Sequence, residues 1–150
     1  MKTIYVDADG VLAEFLRDGE WMEAGYYATL PVITNMIKAV RIMKKKDMPI
    51  KVLTKYPTEQ AKLDKAEWFS KHLPEVEIVY VPYTENKGDY VEDEVNSILI
   101  DDFNDNLFLW RGLAIKFMNG INGSSGKWQG RTVGYKMNPK KIVRAIEGWM

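Results

Sequence analysis

Short apolar runs alternate with amphipathic stretches along most of this sequence. Each run has four to five residues rich in Val, Ile, Leu and Tyr, which is typical of strands buried on both faces of a sheet. The runs are Thr3–Val6, Ile50–Leu53, Glu77–Val81, Ser97–Ile100 and Leu113–Phe117. Strands that alternate with helices form parallel sheets covered by helices on both faces. We therefore predict an α/β fold, a three-layer α/β/α architecture built on a Rossmann-like parallel sheet.

The stretches between these runs have the spacing of helices. Pro31–Lys46 places Val, Ile and Met side chains three and four residues apart, which predicts one buried helix face. Thr58 is expected to cap a second helix, which Pro74 ends. Asn138 is expected to cap the last helix, because a proline follows it at the first turn.

Composition restricts the class of protein. A chain of 150 residues is expected to form one compact domain. Its 21 basic and 21 acidic residues give a net charge of +0, which argues against a dedicated nucleic-acid binder. Because the sequence contains no cysteine, disulfides, thiolate zinc sites and cysteine nucleophiles are excluded. No apolar run approaches the ~20 residues of a membrane span, so we expect a cytoplasmic protein with no membrane partner.

Two pairs of carboxylates stand at the ends of predicted strands. Asp7 and Asp9 follow the first strand, and Asp101 and Asp102 follow the fourth. If these strands are neighbours, four carboxylates converge at one edge of the sheet. Mg²⁺ prefers carboxylate oxygens and leaves coordination positions for a phosphate. Each pair alone also fits a solvated turn or a helix cap, but together they predict a metal site.

Two further residues are placed to bind phosphate. Thr54 ends the second strand, where its hydroxyl and the free backbone amide of Lys55 can hold phosphate oxygens. Lys87 lies in the loop after the third strand and can neutralise both a carboxylate and a phosphate. Taken alone, Thr54 fits a turn residue equally well, and Lys87 fits a solvated loop lysine.

These motifs occur in a fixed order: Asp7-Ala8-Asp9-Gly10-Val11, then Thr54, then Lys87, then Asp101-Asp102. The ordered set resembles the haloacid dehalogenase (HAD) superfamily of aspartate-based phosphotransferases. The resemblance implies a single HAD-like hydrolase domain over residues 1–150 that hydrolyses a small phosphorylated substrate. It also implies Mg²⁺ as the cofactor.

The resemblance implies a role for each motif residue. Asp7 would be the nucleophile that forms an aspartyl-phosphate. Asp9 would protonate the departing alcohol and then take a proton from the hydrolytic water. Asp7, Asp9 through its backbone carbonyl, and Asp102 would hold Mg²⁺, with Asp101 as a further ligand or directly behind them. The phosphate-binding residues would be Thr54, Lys55 and Lys87.

A narrower resemblance points to one group within this superfamily. Val6–Phe15 and Lys65-Ala66-Glu67-Trp68 resemble the 5'(3')-deoxyribonucleotidase group, whose members enclose the base under an inserted cap. Here residues 14–29 offer only a minimal cap, so the site is either open or closed by another subunit of a homo-oligomer. A non-nucleotide phosphoester therefore stays open as the substrate, beside a deoxynucleoside monophosphate.

Four residues are candidate substrate contacts. They are Phe15 and Trp21 in the short cap, and Asn119 and Lys127 in the Gly/Ser/Asn-rich stretch Asn119–Gly130. The cap aromatics fit core or dimer packing equally well.

Two other functions are compatible with an acidic cluster on a parallel sheet. A signalling receiver domain also combines a phosphorylatable Asp with a Thr and a Lys, but its acceptor follows the third strand. Here that strand ends Val81-Pro82-Tyr83 with no Asp, so the chain order disfavours a receiver. A binding protein that holds the metal without turnover is disfavoured because all four motif positions are intact.

Overall fold

A computed structural model describes residues 1–15, 22–121 and 126–150. Its strands are β1 (Thr3–Val6), β2 (Ile50–Tyr56), β3 (Glu77–Pro82), β4 (Ser97–Asp101), β5 (Leu113–Met118) and β6 (Arg131–Gly134). Its helices are α1 (Thr34–Lys45), α2 (Glu59–His72), α3 (Asn104–Leu109) and α4 (Pro139–Trp149), with a 3₁₀ turn over Lys87–Tyr90. Among the described residues, no helix combines the length and apolarity needed to cross a membrane.

The six strands form one parallel sheet in the order β3-β2-β1-β4-β5-β6. The prediction of an α/β fold with a Rossmann-like parallel sheet is therefore confirmed. In this order the chain builds the sheet outward from β1 in one direction and then from β4 in the other. Val6 pairs with Val52 of β2 on one side and with Ile100 of β4 on the other. Ligands of such sheets bind outside the carboxyl ends of the strands at this reversal point.

The core lies on both faces of the sheet because successive strand residues point to opposite sides. Ile4 and Val6 of β1 belong to a large cluster with residues of α1, α2 and α4. Tyr5, between them, belongs to a smaller cluster with Leu107 of α3 and with Trp110. Both central strands, β1 and β4, are thus held from two sides, which fixes the position of the residues that follow them.

Two predicted helix caps are confirmed. The Thr58 hydroxyl accepts a hydrogen bond from the Ala61 amide at 3.0 Å, and the Asn138 side chain accepts one from the Lys140 amide at 2.9 Å. Each bond satisfies an amide that has no partner within its helix.

Three elements differ from the sequence prediction. Strand β2 runs to Tyr56 rather than Leu53, so Thr54 lies within the strand instead of ending it, because its last three residues continue the pairing with β3. Helix α1 begins at Thr34 rather than Pro31, because Val32 pairs with Ala13 and the Ile33 amide donates to Leu12, which keeps this segment extended. Strand β6 was not predicted. Only Val133 of its four residues is buried, so it has no apolar run, and backbone pairing with β5 holds it at the sheet edge.

Candidate active site

Three carboxylates meet at the reversal point of the sheet. Asp7 directly follows β1, and its amide donates to Ile100 of β4 at 2.9 Å. Asp101 is the last residue of β4, and Asp102 follows it. Because β1 and β4 are neighbours, oxygens of Asp7, Asp101 and Asp102 all lie within 4.8 Å of one another.

Lys87 provides a buried positive charge for two of these carboxylates. Its side chain is 2% exposed, and its Nζ donates to Asp7 Oδ1 at 2.8 Å and to Asp101 Oδ2 at 2.7 Å. Asp101 is wholly buried and also accepts hydrogen bonds from the Phe103 amide and the Asn106 side chain. Asp101 therefore acts mainly as an internal anchor, while Asp7 and Asp102 line the open cavity described below.

The cluster holds more negative than positive charge. Burial raises the pKa of Asp7 well above its usual value, and the charge of Asp101 raises it further, whereas Lys87 opposes the shift. Burial alone lowers the pKa of Lys87, but Asp101 and Asp7 outweigh burial and raise it. Lys87 is thus firmly charged, and the ionised state of Asp7 needs further positive charge.

A divalent metal ion meets this requirement. Asp7, Asp101 and Asp102 converge, and Asp7 and Asp102 also line the open cavity. Such a set of carboxylate oxygens is what Mg²⁺ binds in proteins. Asp7 and Asp102 would hold the ion from the protein side, with Asp101 adjacent. The Asp9 carboxylate is not in this group, because it forms an ion pair with Lys65 instead.

Asp9 is paired with a lysine that the motif analysis did not assign to the site. Lys65 of α2 is 2% exposed, and its Nζ lies 2.6 Å from Asp9 Oδ2 and 3.1 Å from Thr54 Oγ1. The same ammonium group stands 4.4 Å from the centre of the Tyr27 ring. Lys65 therefore connects the predicted acid–base residue, the predicted phosphate ligand and the cap segment.

A sequence signal for Lys65 existed. Ala61, Lys65 and Trp68 are spaced by four and three residues on α2, and all three are buried. A charged residue within the apolar stripe of a helix is buried only with a partner, since an unpaired buried charge is costly. The stripe indicated a buried lysine, but not which carboxylate would pair with it.

Asn119, which directly follows the neighbouring strand β5, supports Asp102. Its Nδ2 donates to Asp102 Oδ2 at 3.0 Å and to the Gly10 carbonyl at 2.9 Å. Gly10 has a φ of +81°, and a Cβ built there would overlap the Asp102 carboxylate. The glycine of the Asp-Ala-Asp-Gly motif thus leaves the space that Asp102 occupies.

Replacing Gly10 by Ala is expected to destabilise the protein more than an ordinary left-handed glycine replacement. Gly25→Ala is the matched control, since Gly25 has a φ of +87° with nothing within 4 Å of a built Cβ. Both variants should lose about 1–2 kcal/mol of unfolding free energy from backbone strain. Gly10→Ala should lose a further ~1–3 kcal/mol from displacing Asp102, measured by urea unfolding in EDTA. Equal losses would contradict close packing at Asp102.

A cavity of about 580 Å³ opens beside Asp7. This volume lies within the usual range of small-molecule sites, ~300–1,000 Å³. Its polar lining residues are Asp7, Asp9, Lys55, Lys87, Asp102 and Asn106, and its apolar and aromatic ones are Phe15, Tyr27, Pro57, Tyr83 and Phe103. A second cavity of similar volume, about 580 Å³, shares Phe15 and includes Asn119 and Tyr135 in its wall.

The predicted phosphate ligands lie at different depths. Lys55 and Lys87 line the first cavity. Burial lowers the pKa of Lys55, and the charge of Lys87 lowers it further, as expected for two cations facing one space. Thr54 is wholly buried, and its hydroxyl accepts the hydrogen bond from Lys65.

The described part of the cap segment is attached to α2. The Gly25 amide donates to Asp64 Oδ2 at 2.6 Å, and Trp68 Nε1 donates to the Leu30 carbonyl at 2.8 Å. Tyr27 is buried between this segment and Lys65, so its ring packs in the interior. Residues 22–30 are thus tied to α2, and Tyr27 among them lines the first cavity.

The four candidate substrate contacts have different surroundings. Phe15 lines both cavities, and Asn119 lines the second while it binds Asp102. Lys127 is exposed and is not among the described residues that line either cavity. Trp21 lies outside the described residues.

Several solved structures share this arrangement of strands and helices. D,D-heptose 1,7-bisphosphate phosphatase from Burkholderia thailandensis superposes with a TM-score of 0.66 at 10% identity over 99% of both chains. A hydrolase from Pseudomonas syringae gives a TM-score of 0.63 at 9% identity over 100% of both chains. A protein described as a HAD-like phosphatase from Mesorhizobium loti gives 0.61 at 13% identity, over 99% of this chain and 87% of its own.

The protein has the HAD-like fold. No protein-family model and no curated protein matches the sequence, so the likeness is carried by structure. The HAD-like fold predicted from the order of the motifs is therefore confirmed. None of these three structures is described as a nucleotidase, and the narrower resemblance to deoxyribonucleotidases stays a prediction.

Proposed function

We propose that the protein is a Mg²⁺-dependent phosphomonoesterase that works through an aspartyl-phosphate on Asp7. The observation that carries the proposal is the meeting of Asp7, Lys87 and Asp102 at one cavity of a HAD-like fold. Residues 1–150 would form the hydrolase domain, with 14–29 as its short cap.

Asp7 is the proposed nucleophile. Lys87 holds its Oδ1 at 2.8 Å, which fixes the carboxylate so that its other oxygen can attack phosphorus. A bond forms between this oxygen and phosphorus while the bond from phosphorus to the alcohol oxygen breaks. Mg²⁺ bound by Asp7 and Asp102 would supply positive charge that offsets the repulsion between carboxylate and phosphate.

Asp9 is the proposed proton donor and acceptor. It lines the cavity, and Lys65 fixes the direction of its carboxylate through the 2.6 Å contact. Asp9 gives a proton to the alcohol oxygen as the alcohol leaves. It then takes a proton from the water that attacks the aspartyl-phosphate, which releases phosphate and regenerates Asp7.

Phosphate binding is assigned to Lys55 and Lys87, which both line the cavity and can supply positive charge to it. Thr54 is proposed to contribute through Lys65, since its buried hydroxyl accepts that residue's hydrogen bond. Lys65 in turn orients Asp9, so the end of β2 and the proton-transfer residue act as one unit.

Phosphate release from a substrate panel tests the proposed activity. The panel contains deoxynucleoside 5'- and 3'-monophosphates, which the narrower resemblance places first, together with a sugar phosphate, glycerol phosphate and p-nitrophenyl phosphate. We expect release with Mg²⁺ and loss of release in EDTA. If no member of the panel releases phosphate with Mg²⁺ present, the proposed activity is excluded.

A receiver-like role is the alternative, and it makes a different prediction. Phosphorylation of Asp7 by a small phosphodonor such as acetyl phosphate would then persist for minutes. In a phosphatase the aspartyl-phosphate is hydrolysed within each turnover, so labelled protein should not accumulate. The two functions are separated by the lifetime of the labelled protein.

Replacing Lys65 by Met is expected to lower kcat by about 10- to 100-fold, because Asp9 loses the contact that orients it for proton transfer. Lys62→Met is the matched control, since Lys62 lies on the same helix with its ammonium group against Tyr56 and Tyr80. Steady-state kinetics should show the loss in Lys65→Met only. An equal effect of both substitutions would mean that α2 is perturbed generally.

A further inference from the structure

Two exposed aromatic rings line the same cavity as Asp7. Tyr83 is 63% exposed and Phe103 is 56% exposed. Scattered exposed apolar residues are normal on a protein surface. These two differ because they border the proposed catalytic cavity, where Phe15 and Pro57 extend the apolar wall.

The backbones of both residues are fixed by the site itself. Phe103 directly follows Asp102, and its amide donates to Asp101 Oδ1 at 3.0 Å. The Tyr83 amide donates to the Tyr56 carbonyl at 3.0 Å, one residue beyond Lys55. Phe103 is therefore held next to Asp102, and the Tyr83 backbone is held against the residue that lies between Lys55 and Pro57.

These rings are also available to a ligand. Tyr27 is buried against Lys65, and Phe15 packs edge to face on Tyr26 at 6.2 Å between ring centres. Within the described part of the chain, neither Tyr83 nor Phe103 stacks on another aromatic ring. A planar group that enters the cavity can cover them and remove apolar surface from water.

We propose that the site prefers phosphomonoesters whose leaving alcohol carries a planar aromatic ring, and that Tyr83 and Phe103 bind this ring by stacking. The ring can be a nucleobase or a simple aryl group, since both offer a π face. The inference rests on the proposed phosphomonoesterase function and adds the class of leaving group. It assigns ring recognition to the loops after β3 and β4 rather than to the cap segment.

The test compares Tyr83→Ala and Phe103→Ala with the wild type on three substrates. These are a deoxynucleoside 5'-monophosphate, p-nitrophenyl phosphate and glycerol phosphate, all with Mg²⁺. Using the ratio of variant to wild-type kcat/KM for each substrate cancels the different reactivities of the leaving groups. We expect each substitution to lower kcat/KM roughly tenfold to a hundredfold on ring-bearing substrates, mainly through KM. The loss on glycerol phosphate should be at least tenfold smaller.

Phe108→Ala is the matched control for loss of an exposed ring. Phe108 is 54% exposed on α3 and contacts Trp128, but it does not line the cavity. Phe108→Ala should leave the ratio of kcat/KM between ring-bearing substrates and glycerol phosphate unchanged. Tyr83→Phe should retain the preference for a ring, because the stacking surface is kept.

The outcomes separate the two proposals. Equal losses on all three substrates, or no loss on any, would overturn ring stacking while leaving the phosphatase intact. A loss on p-nitrophenyl phosphate alone would restrict the preference to aryl groups, and a loss on the nucleotide alone to nucleobases. If the wild type hydrolyses none of them, the proposed function fails. Calorimetry would then measure the affinity of the wild type and of Tyr83→Ala for the nucleotide with Mg²⁺. Weaker binding by Tyr83→Ala would support ring stacking, and equal affinities would reject it.

Discussion

Replacing Asp7 by Asn is expected to reduce turnover by on the order of 10⁴-fold or more, because a neutral amide does not attack phosphorus. The side chains are nearly equal in size, and Lys87 keeps its contact with Asp101 at 2.7 Å, so the site should stay folded. Phosphate release with Mg²⁺ measures the effect. Asp89→Asn, an equal charge change at an exposed position of the 3₁₀ turn, is the control. Turnover within tenfold of wild type would exclude Asp7 as the nucleophile.

The same substitution should affect stability in the opposite direction. Burial and Asp101 raise the pKa of Asp7 from the ordinary 3.8, so the folded wild type favours a protonated Asp7 more than the unfolded chain does. This stabilisation is complete below the ordinary pKa and is lost as pH rises through the raised one. Without Mg²⁺, the wild type should therefore lose stability relative to Asp7→Asn as pH rises above the ordinary value of 3.8. Thermal unfolding in EDTA at rising pH checks the sign, and a wild type that gains relative stability would contradict it.

Replacing Lys87 by Met is expected to destabilise the metal-free protein by about 3–5 kcal/mol near neutral pH, because two buried carboxylates lose their shared positive partner. The deficit should shrink at acid pH, since burial and Asp101 raise the pKa of Asp7 and favour its neutral form, and also on addition of Mg²⁺. Turnover should fall on the order of 10²–10³-fold, since Lys87 is also the proposed phosphate ligand. Urea unfolding at two pH values, with EDTA or Mg²⁺, measures the energies.

Lys55→Met is the matched comparison for Lys87. It removes a cation from the same cavity, but among the described residues Lys55 makes no ion pair with Asp7 or Asp101, and burial and the charge of Lys87 lower its pKa more than those two carboxylates raise it. Its loss should leave unfolding in EDTA within ~1 kcal/mol of wild type. If the two methionine variants unfold alike, Lys87 is not the essential counter-charge.

The 3₁₀ turn that carries Lys87 packs against the side chain of Glu94. A Cβ at Gly88 would overlap the Glu94 carboxylate, and Glu94 in turn accepts hydrogen bonds from the Arg111 amide and Nε at 2.9 and 2.8 Å. Glu94 is buried although it follows an acidic, polar stretch of sequence. The predicted loop lysine is therefore a fixed interior group, and the alternative of a solvated lysine is wrong.

The sequence by itself determined the type of sheet, the positions of five of the six strands and the acidic residues at the ends of β1 and β4, although it ended β2 too early. It also placed the caps at Thr58 and Asn138 and the ordered motifs from Asp7 to Asp102. These signals are local, because apolar period, capping chemistry and strand-end residues act within a few positions of the chain. The neighbouring positions of β1 and β4 then follow from the order of a doubly wound sheet.

Only the tertiary structure decided which charges pair and which rings face the cavity. Lys65 meets Asp9 across 56 residues of sequence, and Lys87 meets Asp7 across 80. Such contacts depend on how α2 rotates against the sheet and how the turn after β3 folds inward, which no local pattern encodes. The edge strand β6 and the cavity position of Tyr83 and Phe103 were equally hidden, because their role comes from packing between distant segments rather than from periodicity.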